Sequence, residues 1–84
     1  MKLIRELTRL HFAKQETGGG CLAYVLPLGD AFELWAVDAS GDCADLTDEM
    51  PVSLCLMSTA HSESLTSTDY KTGADLAHVL SFQP

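Results

Sequence analysis

Apolar residues recur along this chain with two different periods, and the changes of period mark its elements. Leu3, Ile4, Leu7, Leu10 and His11 fall within an arc of about 120° when residues are set at 100° steps, with Lys2, Arg5, Glu6 and Arg9 opposite. The spacing predicts an amphipathic helix over residues 2–14. The stretch LTRLHFAK, residues 8–15, also alternates, so a strand there is the competing reading, with the helix preferred. Phe12 stands off the apolar arc in the helical reading. The glycines at 18, 19 and 20 then break the element, because consecutive glycines cost too much backbone entropy inside a helix or strand.

Residues 21–28 and 31–38 change to the period of a strand pair, and Gly29-Asp30 between them is a two-residue hairpin signal. That turn predicts Leu28 opposite Ala31, Leu26 opposite Glu33, Tyr24 opposite Trp35 and Leu22 opposite Val37. Those residues share one face. Cys21, Ala23, Val25, Pro27, Phe32, Leu34, Ala36 and Asp38 take the other, a small aliphatic surface suited to receiving helices.

Ser40-Gly41-Asp42 is a second turn signal, and CADL after it predicts a short strand. In PVSLCLMS, Val52, Leu54 and Leu56 alternate with Ser53, Cys55 and Met57, which predicts a strand over 52–58. Residues 58–72 are rich in Ser and Thr and read as loop. Thr72 is placed to cap a helix over 73–81, with Asp75 near its positive end. That helix is expected to bury Leu76, Ala77, Val79 and Leu80 and to leave Asp75 and His78 in water.

The predicted fold class is α+β, one small domain over residues 1–84. An antiparallel sheet of three to four strands carries an N-terminal and a short C-terminal helix on one face. The element order is similar to that of double-stranded RNA-binding domains, and the likeness is one of topology only. One sheet face is left free, and it carries Tyr24, Leu26, Trp35 and Val37. Large aromatics on an uncovered face are typical interface anchors, so a second copy of the chain or a foreign protein is expected to cover them.

Size and composition narrow the chemistry. A chain of 84 residues, 46% of them hydrophobic, makes one thin core. The basic N-terminal segment has no signal-peptide h-region, and no run approaches the roughly 18 apolar residues of a membrane span, so a cytoplasmic, membrane-free protein is expected. Cys21, Cys43 and Cys55 have no metal-ligand spacing, and the expectation is three free, buried thiols with no metal and no cofactor. No nucleophile elbow, phosphate loop or placed triad is present, which argues against an enzyme.

Net charge is −7 and unevenly spread. Residues 1–17 hold four bases and two acids, whereas residues 29–49 hold Asp30, Glu33, Asp38, Asp42, Asp45, Asp48 and Glu49 with no base. Direct nucleic-acid binding needs a contiguous basic face and is disfavoured. Most of these acids fall at turns, where local hydrogen bonding and solubility account for them. The lack of any base over twenty-one positions adds a second reading, a field that attracts a basic partner surface.

In size, acidity, α+β order and lack of catalytic motifs, the chain resembles small acidic proteins of phages and mobile elements, the anti-CRISPR inhibitors among them. The resemblance is to the class and covers no signature motif. It implies a stoichiometric inhibitor that covers a basic nucleic-acid-binding surface of a host defence complex, the seven carboxylates of residues 29–49 standing in for phosphates. The alternative is a housekeeping or toxin–antitoxin-type interaction module that binds, or dimerises, through the apolar sheet face.

Overall fold

In the computed structural model, which describes residues 2–18, 20–40, 44–61 and 63–83, the first element is helix α1 (Lys2–Arg9). Its first turn has no capping side chain of its own. Asp48 supplies one, its two carboxylate oxygens accepting from the backbone N–H groups of Lys2 and Leu3 at 2.9 Å each. α1 ends well short of residue 14. The Phe12 N–H donates to the Leu7 carbonyl and the His11 N–H to the Thr8 carbonyl, with His11 at a φ of 70°, a Schellman stop. Phe12 is thereby turned into the core beside Leu7. A left-handed histidine lacks the freedom of glycine, so His11→Gly is expected to raise stability by about 1 kcal/mol. An unchanged urea midpoint would contradict this.

Both readings of residues 8–15 were partly right. The helix holds to Arg9, and strand β1 (Ala13–Gly18) begins four residues later. β2 (Cys21–Leu28), β3 (Phe32–Asp38), β4 (Val52–Ser58) and β5 (Glu63–Tyr70) follow, and helix α2 (Gly73–Leu80) closes the chain. The described residues thus form five antiparallel strands in the order β1-β2-β3-β4-β5, one or two more than expected, within the predicted α+β class. The segment read as loop contains β5. This edge strand is exposed along both faces, so nothing requires the apolar alternation by which an inner strand is recognised. Ala44, Asp45 and Leu46 form no strand, and Cys43 lies outside the described residues.

The hairpin register differs from expectation by one residue. Leu28 pairs with Phe32, Leu26 with Leu34, Val25 with Trp35 and Tyr24 with Ala36, so three residues, Gly29 to Ala31, make the turn. Gly29 supplies the positive φ of 75°. A slip of one residue turns a strand over. Tyr24 and Leu26 therefore face the helices, while Trp35 and Val37 keep the opposite face. The longer turn gathers Tyr24, Leu26, Leu28, Phe32 and Leu34 on one side.

The core lies between that side and the helices. Leu3 and Leu7 of α1, Leu76, Ala77 and Leu80 of α2, and Tyr24, Ala36 and Val52 of the sheet are buried together, with Leu46 beneath the β3–β4 connection. Thr72 caps α2 as expected, its hydroxyl accepting from the Asp75 N–H at 3.2 Å. Val79, expected in the core, is 41% exposed because it sits at the margin of the helix's apolar arc.

One segment fastens both helices. While the Asp48 carboxylate caps α1, its carbonyl accepts from the Ala74 N–H of α2 at 2.9 Å. Gly73 passes beneath so closely that a Cβ there would stand 2.0 Å from the Thr47 carbonyl oxygen and 2.9 Å from Leu3 Cδ2. Asp38, nearly buried, organises the approach to this segment by accepting from Ser40 N–H, Ser40 O–H and Ala44 N–H.

Candidate functional site

Two eight-residue helices reach about 12 Å, while strands of seven or eight residues run about 23–27 Å. The helices are therefore about half as long as the strands. Both begin at the Thr47–Asp48 clamp, and their other ends are joined where the Arg9 guanidinium donates to the Leu80 carbonyl at 3.0 Å.

Near the helix ends the sheet carries the cross-strand rows Leu26–Leu34–Leu56, half-buried, and Leu28–Phe32, exposed. The result is an open trough of about 460 Å³. Leu26, Leu34 and Leu54 make its floor, and Phe12, Leu28, Val79 and Leu80 are among its walls. Leu28 and Phe32 are 41% and 42% exposed. Phe82, just past α2, is 73% exposed and meets His78 edge-on at 5.2 Å. Large apolar side chains gathered this way in water mark a binding surface more often than scattered ones do.

Of the apolar residues expected to share a face, Tyr24 is buried in the core and Leu26 floors the trough. Trp35 and Val37 lie on the far side of the sheet. There the row Ala13–Val25–Trp35–Cys55 crosses four strands. The indole N–H of Trp35 donates to Glu33 at 3.1 Å, and a shallower hollow of about 280 Å³ lies between Glu33, Trp35, Met57, Ser58 and Thr59.

The acids do not form one patch. Asp38 and Asp48 are engaged in holding the β3–β4 connection and α1, as described above. Asp45 accepts from Lys14 Nζ at 2.7 Å and from its neighbour's Leu46 N–H at 2.9 Å, with the Tyr24 hydroxyl at 3.4 Å. The Lys14 hydrogen bond holds the Asp45 carboxyl below its ordinary pKa, and burial followed by the Asp45 charge pushes the Tyr24 phenol up. Asp30 and Glu49 are exposed. Asp30 belongs to the trough end of the sheet and Glu49 to the clamp segment. Asp42 lies outside the described residues.

The cysteine expectation is corrected at one position. Cys21 is disulfide-bonded, whereas Cys55 is a free thiol whose pKa is pushed up by burial and then by the charge of Asp69. Disulfides are rare in a reducing cytoplasm, so the cysteine chemistry does not support the cytoplasmic expectation. Among the described residues no cluster of three or more His, Cys, Asp or Glu is placed to hold a metal ion, and no helix is long and apolar enough to cross a membrane.

The trough residues missed from sequence include Phe12, Leu28, Leu34, Leu54 and Val79, and Phe32 stands opposite Leu28 beside them. Leu28 and Phe32 carried a legible signal, since both stand beside a turn that the chain could have made polar. No family model matches this chain, and no curated protein or solved structure matches it.

Proposed function

We propose that this chain is a non-enzymatic protein-binding module whose trough at the helix ends receives a partner with basic character. The observation that carries the reading is an apolar floor of three leucines, walled by Phe12, Leu28 and Val79, left open in a domain with little core to spare. Buried apolar surface contributes roughly 25 cal/mol per Å², so leaving these side chains in water forgoes stability that a partner restores. An apolar centre with a more polar rim is the ordinary anatomy of an interface.

A second reading keeps the inhibitor that the class resemblance implies. It is favoured by the absence of Lys and Arg from residue 15 to residue 70. Asp38, Asp45 and Asp48 are engaged within the fold, which leaves Asp30, Glu33 and Glu49 as its described charges, with Asp42 the remaining sequence candidate. A third contact surface, the Trp35–Val37 face, is where a second copy would dock.

Affinity capture from a lysate of the source cell separates these. Four baits are compared: the wild type, Leu28→Ser/Val79→Ser, Trp35→Ala, and Asp30→Lys/Glu49→Lys, each first shown folded by circular dichroism. Loss of the retained protein only with the trough variant is the expected result. Loss only with Trp35→Ala assigns binding to the opposite face, and loss only with the charge-reversed variant assigns it to the carboxylates.

A further inference from the structure

We infer that the occupant of the trough is a short amphipathic helix with Lys or Arg flanking its apolar side. The inference rests on the trough being the binding site and adds the partner's shape and charge. Shape follows from the missing layer. α1 and α2 already form a helical layer on this sheet face, and the trough opens where Leu10, Val79 and Leu80 at their ends meet Leu26, Leu34 and Leu54 of the sheet, so an occupant there continues the helical layer. A helix presenting apolar residues at i, i+3, i+4 and i+7 is the form in which a segment lays one side into such a floor while keeping its own backbone hydrogen bonds.

Charge follows from what surrounds the trough. Past its wall residue Leu28 lies the turn holding Asp30, and the cross-strand row that starts at Leu28 runs through Phe32 and Ser58 to Glu63, so two exposed carboxylates stand at that end of the sheet. β2 to β5 contain neither Lys nor Arg. At the other end the nearest cation is Arg9, which is committed to Glu6 at 2.8 Å and to the Leu80 carbonyl. Lys14 is committed to Asp45 at 2.7 Å. An acidic helix entering the trough meets like charge, and a basic one meets Asp30 and Glu63. Closed pockets bury most of a small ligand, whereas this trough is open along its length, which favours a polymer segment over a small molecule.

The test is a pair of synthetic helical peptides of about twelve residues with the same leucine face, one with Lys and one with Glu at every other position. Each is titrated into the isotope-labelled full chain at neutral pH and followed by amide chemical shifts. The Lys peptide is expected to shift Leu26, Leu34, Leu54 and Val79, and to bind at least about tenfold tighter than the Glu peptide, the preference shrinking with salt. Asp30→Lys/Glu63→Lys is expected to reverse it.

Equal binding of both peptides in the trough overturns the charge assignment and leaves the trough as a binding site. Shifts confined to the Trp35 face or the clamp segment overturn both. A small apolar dye that shifts the same four residues, with neither peptide doing so, overturns the helical occupant in favour of a small-molecule site. No shift with any probe overturns the inference, and the capture experiment then decides the trough separately.

Discussion

Gly73→Ala is expected to cost about 3 kcal/mol, which in a domain of this size is roughly 12–24 °C of melting temperature. The added methyl would stand 2.0 Å from a backbone oxygen, Thr47 O, so no rotamer change relieves it. Either α2 moves off the clamp, breaking the Ala74–Asp48 hydrogen bond, or the Thr47–Asp48 segment moves and uncaps α1. Either way one helix loses its fastening to the clamp through a single substitution. Gly29→Ala is the comparison, because its surroundings are empty and its cost comes only from a positive φ. Urea denaturation that finds Gly73→Ala no more destabilising than Gly29→Ala would show that the close approach is not a constraint.

The second large effect is at Asp48. Asp48→Ala removes the acceptor from two N–H groups at the start of α1 and is expected to lower the melting temperature by about 4–8 °C near neutral pH. The loss depends on pH in a fixed direction. The Leu3 N–H, followed by the Lys2 N–H, holds the Asp48 carboxyl below its ordinary value. A depressed folded pKa means stability that is fully present above the unfolded value, about 3.9, and is lost as pH falls through the folded value. Asp45, held down first by Lys14, acts in the same sense. Wild-type stability is thus expected to drop below about pH 4, and the variant to drop less over the same interval. Parallel stability curves for the two proteins would rule out this role.

These two residues show what was readable in the sequence and what was not. Thr72, Asp75 and the run from Val52 to Ser58 were read at their true places, since a cap, a dipole and an inner strand's alternation are local signals. In the sequence Asp48 is one of the acids of residues 29–49, explained there by a turn or by a basic partner. Its hydrogen-bond partner is 46 residues away, and no spacing rule reaches that far. Gly73 was read as part of a helix entrance, with no sign that another backbone lay against it.

The face of Tyr24 failed for a narrower reason. Gly29-Asp30 suits a turn of two residues and one of three about equally, and the choice between them reverses β2. The trough was hidden because it depends on helix length. The expected helix ran to residue 14, whereas the stop at His11, a residue seldom found at positive φ, turns Phe12 into the trough wall and sends Ala13–Gly18 into the sheet.

The order of the strands has a consequence for how the chain folds. Each strand pairs with its neighbour in sequence, so the sheet is assembled from hairpins that close short loops quickly. The helical layer is the opposite case: Arg9 and Leu80 meet across 71 residues. Until residues 73–80 have been made, α1 has no α2 to pack against, and Leu3, Leu7 and Phe12 have no complete cover. A chain whose strands have paired before α2 docks has its most apolar side bare, the condition in which chains associate wrongly or are held by chaperones. The acids of β3 and β5, Glu33, Asp38, Glu63 and Asp69, act at that stage too, since with no base anywhere in β2 to β5 they give exposed sheets the same sign of charge and repel their copies before α2 has docked.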